Sequence, residues 1–216
     1  VNTVLVEVLT VFTLTPALVL FAWARVDGVT GTIGAWPLLV QVPLMMLVAD
    51  FTQYWVHRTF HTVPALWRVH AIHHSAETMD WLAGSRLHLV DVLVTRGLTY
   101  VPIFVLGFSE AALLVYVFLV AAQATFIHAN VRLEARPLQR VLATPLFHHW
   151  HHAAEPEAVD VNFAVHTPIW DLLFGTFHLP GRWPRQYGLL RRNEVPTSFL
   201  AQLVSPFRRR RPDSGV

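Results

Sequence analysis

The residues of this chain that could do chemistry are its histidines. From His57 the sequence reads H-R-T-F-H, passes eight residues, and reads H-A-I-H-H; H-H-W-H-H then runs from His148 to His152. On a helix, His57 and His61 lie one turn apart on one face. His70, His73 and His74 stand at i, i+3 and i+4, again one face, and His148, His151 and His152 repeat that spacing. A lone histidine is ordinarily structural or solvent-facing, whereas three one-sided clusters at ligand spacing argue for a shared task. Neutral imidazole suits iron, zinc, copper and nickel alike, so the residue type selects metal binding without selecting the metal. Structural zinc takes four ligands, often including cysteine, and this chain has no cysteine. Eight imidazoles exceed what one ion takes, so the count points to two metals.

Composition says what must position these side chains. The chain is 54% hydrophobic and 14% charged, with a mean hydropathy of +0.43, against about 25% charged residues in a soluble domain. That predicts an all-α integral membrane protein. Without cysteine there is no disulfide framework and no thiolate ligand. The formal charge of +2 is modest and gives no reason to expect nucleic acid as a partner. All 16 basic residues are arginine, which fits the coding bias of a GC-rich bacterial genome. The chain starts at Val1 without Met, as a truncated or processed chain would, and lacks the charged n-region and cleavage site of a signal peptide.

Four apolar segments follow one another. Val8 to Ala24 is uncharged and contains Pro16; extended past Glu7, it spans the roughly 30 Å hydrocarbon core. Val29 to Ala49 is the second, its helix starting near Trp36, with Pro43 tolerated as in other membrane helices. That helix is expected to run on through Asp50 to His57 and His61. Pro64 opens the helix of the second cluster. The third segment runs from about Leu89 to Phe108, interrupted by Asp91, Arg96 and Pro102, and the fourth from Ala111 to Val131. His128 near its end is a ninth ligand candidate, because a histidine in a membrane helix is costly and usually has a task; the plainer reading bonds it to a backbone carbonyl. From Arg132 on the chain is no longer membrane-like. We expect one membrane-embedded domain over 1–216, its core about 40–180, with 205–216 a disordered basic tail that is solvated or touches anionic lipid.

Other polar residues are candidates for orienting imidazoles. Asp50 shares a helical face with Tyr54, His57 and His61 and could hold a ligand ring; the alternative is a capping or solvated carboxylate. Asp160, Asn162 and Asp171 could do the same, or serve turns and caps. His88 is a ligand or the partner of one. His149 points about 100° away from the face shared by its neighbours and is not expected to bind metal. His166 and His178 are isolated and read as structural or surface residues. Three arginines lie between Phe51 and Leu87 and eleven from Arg132 onward, against one and none in the connections near Asp27 and Ser109. The positive-inside rule then puts both termini and all histidine clusters on the cytoplasmic side of a bacterial inner membrane.

Taken in order, H-R-x-x-H (His57–His61), H-x-x-H-H-S (His70–Ser75), T-P-x-x-H-x-x-H-H (Thr144–His152), N-F-A (Asn162–Ala164) and W-D-x-x-F-G-T (Trp170–Thr176) resemble the fatty acid hydroxylase/sterol desaturase superfamily. The resemblance covers about Asp50 to Thr176. It implies a non-haem diiron centre held largely by histidine, which uses dioxygen to oxidise an unactivated C–H bond of a lipid. On that reading His57, His61, His70, His73, His74, His128, His148, His151 and His152 hold the irons. Arg86 to His88 also resembles a family element, with Leu89 where Pro often follows. In the fatty acid 2-hydroxylases of this superfamily a histidine pair one turn apart occupies the region of His128. Here the positions a turn away are Ala124 and Arg132, so one ligand of that subgroup is absent, which weakens the transfer of its specific activity.

Each turnover of such a centre needs two outside electrons, and no flavin, haem or iron–sulfur motif is visible. A separate donor, a ferredoxin, cytochrome or reductase, is therefore implied. The same centre can hydroxylate or desaturate. A non-catalytic membrane metal-binding protein is the competing class, although no acidic or histidine pathway crosses the spans.

Overall fold

The structure, a computed structural model, describes residues 32–133, 137–191 and 195–208. The expected first span, Val8 to Ala24, and tail residues 209–216 lie outside them. Seven α-helices and several 3-10 turns make up the described residues, with one isolated bridge, Ala153 to Tyr187, and no strand. Helix α1 is Leu38–Thr62, starting two residues later than Trp36 because Pro37 holds an extended backbone. At about 1.5 Å per residue its 25 residues reach roughly 37 Å, more than a hydrocarbon core. Val63, extended ahead of Pro64 as a residue preceding proline prefers, breaks the helix, and Pro64 starts α2 (Pro64–His74). A single extended residue thus folds the first two histidine clusters back onto each other.

Helix α3 is Leu89–Val105, shorter than the expected third span. Helix α4 is Glu110–His128, capped where the Ser109 side chain accepts from Ala112 N. Among the described residues, α1 and α4 are the helices long and apolar enough to cross a bilayer. Both carry large apolar side chains outward. Leu39 is 86% exposed, and Leu114 and Phe118 are each 73% exposed. Large apolar side chains turned outward in this number suit hydrocarbon better than water. Met45 and Ala49 of α1, Ile103 of α3, and Ala112 and Tyr116 of α4 form the core between them. Gln41, buried in this region, donates to the Gly34 and Trp36 carbonyls and accepts from Ser109 N, tying the ends of α1 and α4 together.

Beyond α4 the chain returns over the histidine end of the bundle. Thr144 and Pro145 start α5 (Pro145–His151), α6 is Ile169–Phe174, and α7 is Phe199–Val204. Gly175, at φ +74°, ends α6 in the left-handed conformation that suits glycine. Ser205 to Phe207 of the expected tail form a 3-10 turn after α7.

Candidate metal centre

Nine imidazoles meet at the end of the bundle, in two groups. His57 and His61 from α1, His70 and His74 from α2, and His151 from α5 offer nitrogens within 4.8 Å of one another; His73, His128, His148 and His152 do the same beside them. Each H-x-x-H-H cluster is split. The α2 cluster sends His70 and His74 to the five-histidine group and His73 to the other. The α5 cluster does the reverse, sending His148 and His152 to the four-histidine group and His151 across. Helix geometry permits this. Successive residues turn about 100°, so positions i+3 and i+4 fall on opposite sides of position i, and one helical face addresses two neighbouring sites.

The rings are set from outside. His57 Nδ1 donates to the Phe163 carbonyl at 2.7 Å, His151 Nδ1 to the Val161 carbonyl at 2.7 Å, and His70 Nδ1 to the Asp91 carboxylate at 2.6 Å. Asp160 Oδ1 lies 3.4 Å from His61 Nδ1. A carbonyl only accepts, so these outer nitrogens carry the protons and the inner Nε2 atoms carry lone pairs. Yet the Nε2 atoms of His57 and His70, both so fixed, face each other at 3.1 Å. Two lone pairs cannot hydrogen-bond to each other, but both can bind one cation. This donor set fits a metal, and the outer acceptors are the kind that orient ligating histidines.

The four-histidine group is set more loosely. His128 Nδ1 donates to the Ala124 carbonyl at 2.7 Å, and its Nε2 lies 3.0 Å from His148 Nε2 and 3.4 Å from His73 Nε2. The outer Nδ1 atoms of His73, His148 and His152 are buried with no partner among the described residues. Gly84 closes this side. A Cβ there would meet His128 Nδ1 at 2.9 Å, so the position has no room for a side chain. Burial, and after it the neighbouring imidazoles, push His73, His74, His148, His151 and His152 well below the ordinary histidine range. They are therefore neutral at physiological pH, the form that ligates metal.

Several candidates stand elsewhere. Asp50 reaches no ligating ring, because its carboxylate accepts from Val165 N and His166 N at 3.0 Å and from Thr167 N at 2.9 Å. Asn162 touches no imidazole ring either. It donates to the Phe147 and His178 carbonyls and accepts from His178 N, fixing the segment whose neighbouring carbonyls do hold rings. Asp171 accepts from Phe163 N and Ala164 N and acts on the same segment. His88 is outside both groups. It caps α3 by accepting from Val90 N and donates Nε2–H to the Leu203 carbonyl. Arg86 of the same element ties the end of α2, donating to the Ile72 carbonyl and to Ser75 Oγ. His149 points away to the Tyr187 hydroxyl, and His166 and His178 belong to neither group. Sequence reasoning missed Asp91 as a partner of His70, although a carboxylate in the first turn of an apolar helix was the available signal.

The fatty acid hydroxylase family matches residues 42–176 of the chain. Ornithine lipid hydroxylase OlsE of Rhizobium tropici is 36% identical over 178 residues, covering 81% of this chain and 53% of that protein. The alkylglycerol monooxygenase of Xenopus tropicalis is 32% identical over 146 residues, covering 68% of this chain and 32% of that protein. Delta(7)-sterol 5(6)-desaturase ERG3A of Gibberella zeae is 26% identical over 151 residues. The chain thus spans about half the length of OlsE and about a third of the monooxygenase. No solved structure matches it.

Proposed function

The chain belongs to the fatty acid hydroxylase family, and on that footing we propose that it is a membrane-bound non-haem diiron monooxygenase acting on a lipid. The observation that carries this is the convergence of nine inward-facing imidazoles in two adjacent groups at the end of helices with apolar outer surfaces. The five-histidine group would hold one iron and the four-histidine group the other, and bound iron supplies the activation of dioxygen. The reaction consumes R–H, O2, two electrons and two protons and yields R–OH and water. The electrons come from a separate donor protein, a ferredoxin, cytochrome or reductase.

The side chains of this protein orient and shield. Asp91 orients His70, and the shielding ring is Phe163, lying 5.7, 5.1 and 5.9 Å from the His57, His61 and His151 rings. An apolar ring there keeps bulk water from the five-histidine group. Helix α6 continues the apolar surface. Phe51 and Trp55 of α1 pack against Trp170 and Phe174, and Leu172 and Leu173 face outward. An apolar substrate entering sideways from the bilayer meets this surface before the histidines.

The domain reads as one membrane-embedded unit with its core at about 40–180, four spans, and the histidine end on the cytoplasmic side of a bacterial inner membrane. The arginine distribution supports that orientation. Reporter fusions after Thr62 and after Ala153 are expected to score as cytoplasmic; one scoring as external breaks the shared-site arrangement.

Labelled dioxygen tests the reaction. Membranes carrying the wild-type chain and a donor should gain label in a lipid, and membranes carrying a His73→Ala, His151→Ala double variant should not. A new double bond without label identifies a desaturase, a reading favoured by the match to the sterol desaturase. No lipid difference with iron bound and donor present leaves a metal-binding protein without catalysis.

A further inference from the structure

The outer contacts of the two histidine groups are unequal. Four of the five rings in the larger group face an acceptor with Nδ1, and three of those acceptors come from one short segment, Asp160 to Phe163. Asp160 and Asn162 both sit at φ +57°, in the left-handed region, which aspartate and asparagine enter more readily than other side chains. Between and after them, the Val161 and Phe163 carbonyls both turn to histidines of this group. The segment is locked by the Asn162 side chain and the Asp171 carboxylate. In the smaller group His128 alone is shown with an outer acceptor, the Ala124 carbonyl of its own helix.

We propose that these are two unequal metal sites, and that Asp160–Phe163 together with Asp91 makes the five-histidine group fill first and hold its ion more tightly. Four of its five rings are already oriented, and three have the tautomer a metal needs before any metal arrives. Binding there therefore carries little ordering cost. At His73, His148 and His152 the orientation and tautomer must be selected as the ion binds. The roles of Asp91 and Asp160 are positional, acting through His70 and His61.

This rests on the two groups being metal sites at all, and the test separates the two ideas. The full chain in lipid nanodiscs, stripped of metal, is titrated anaerobically with Co(II) alone. Visible absorption follows each site's ligand field, and bound cobalt is counted. The expected result is two phases, with the first at least about tenfold tighter, as pre-set outer partners typically give. Asp91→Asn and Asp160→Asn should weaken the first phase by about 10–100-fold and leave the second in place. Gly84→Ala, which crowds His128, should weaken the second phase only. Asp160 is half exposed, and asparagine keeps its backbone conformation, so this variant tests the idea even if Asp91→Asn misfolds. A single phase, or variants that move both phases equally, overturns the inequality while leaving the metal centre standing. No bound cobalt overturns both.

Discussion

Alanine at His73 and alanine at His151 are expected to empty different sites and abolish the same activity. His73 belongs to the four-histidine group and His151 to the five-histidine group, although each sits in a cluster that serves mainly the other. The wild-type chain, loaded anaerobically, should carry about two iron atoms, since the ligand set is too large for one ion. Each single variant should keep about one. Lipid oxidation should fall by more than about 100-fold in both, exceeding the 10–100-fold typical of losing an outer partner. His178→Ala, outside both groups, should lose neither iron nor activity. Iron analysis beside labelled-product counting decides it. Full activity in a variant with one emptied group would refute a two-metal mechanism.

Asp50→Ala should damage the protein more than any substitution on its lipid-facing surface. The carboxylate is fully buried and accepts three backbone N–H groups from a segment more than a hundred residues away. Leaving a buried donor unsatisfied costs about 1–3 kcal/mol; His166 N is buried, and Val165 N and Thr167 N, partly buried, add to that loss. A domain's whole stability is about 5–15 kcal/mol. A large fall in melting temperature and in yield of folded protein is expected. Asp50→Asn should be milder, because one oxygen, Oδ1, serves both Val165 N and His166 N and an amide oxygen can take its place. Thermal melts of the two variants in the same detergent are the measurement. Alanine melting like the wild type would show that the segment does not depend on Asp50.

Eight histidine positions are legible in the sequence because ligand spacing and helical periodicity coincide, and His128 because it stands in an apolar segment; all nine lie in the two groups. Their division between two groups is not legible. Positions i, i+3 and i+4 count as one face, and only the neighbouring helices decide which side each ring takes. Asp50 stands out as a charge in an apolar helix, but its partners are backbone groups at 165–167, and no local pattern announces a contact across such a separation. Asp91 is visible for the same reason yet reads as an interruption, because its partner His70 lies on another helix. The split of outer acceptors depends on two left-handed residues, and neither Asp nor Asn in a loop declares that conformation by identity alone. The expected third span falls short because α3 ends at Val105, ahead of the turn at Gly107.

The exchange of histidines between α2 and α5 has a mechanical meaning. Two rigid bodies joined at one point can still swivel about it. Joined at two points, they keep only a single hinge axis through both. Helix α1 is joined at the first point alone, through His57 and His61, and α4 at the second alone, through His128. A chain carrying a single ion would leave α2 and α5 a full swivel, so the second ion to bind is the one that reduces their motion to one hinge.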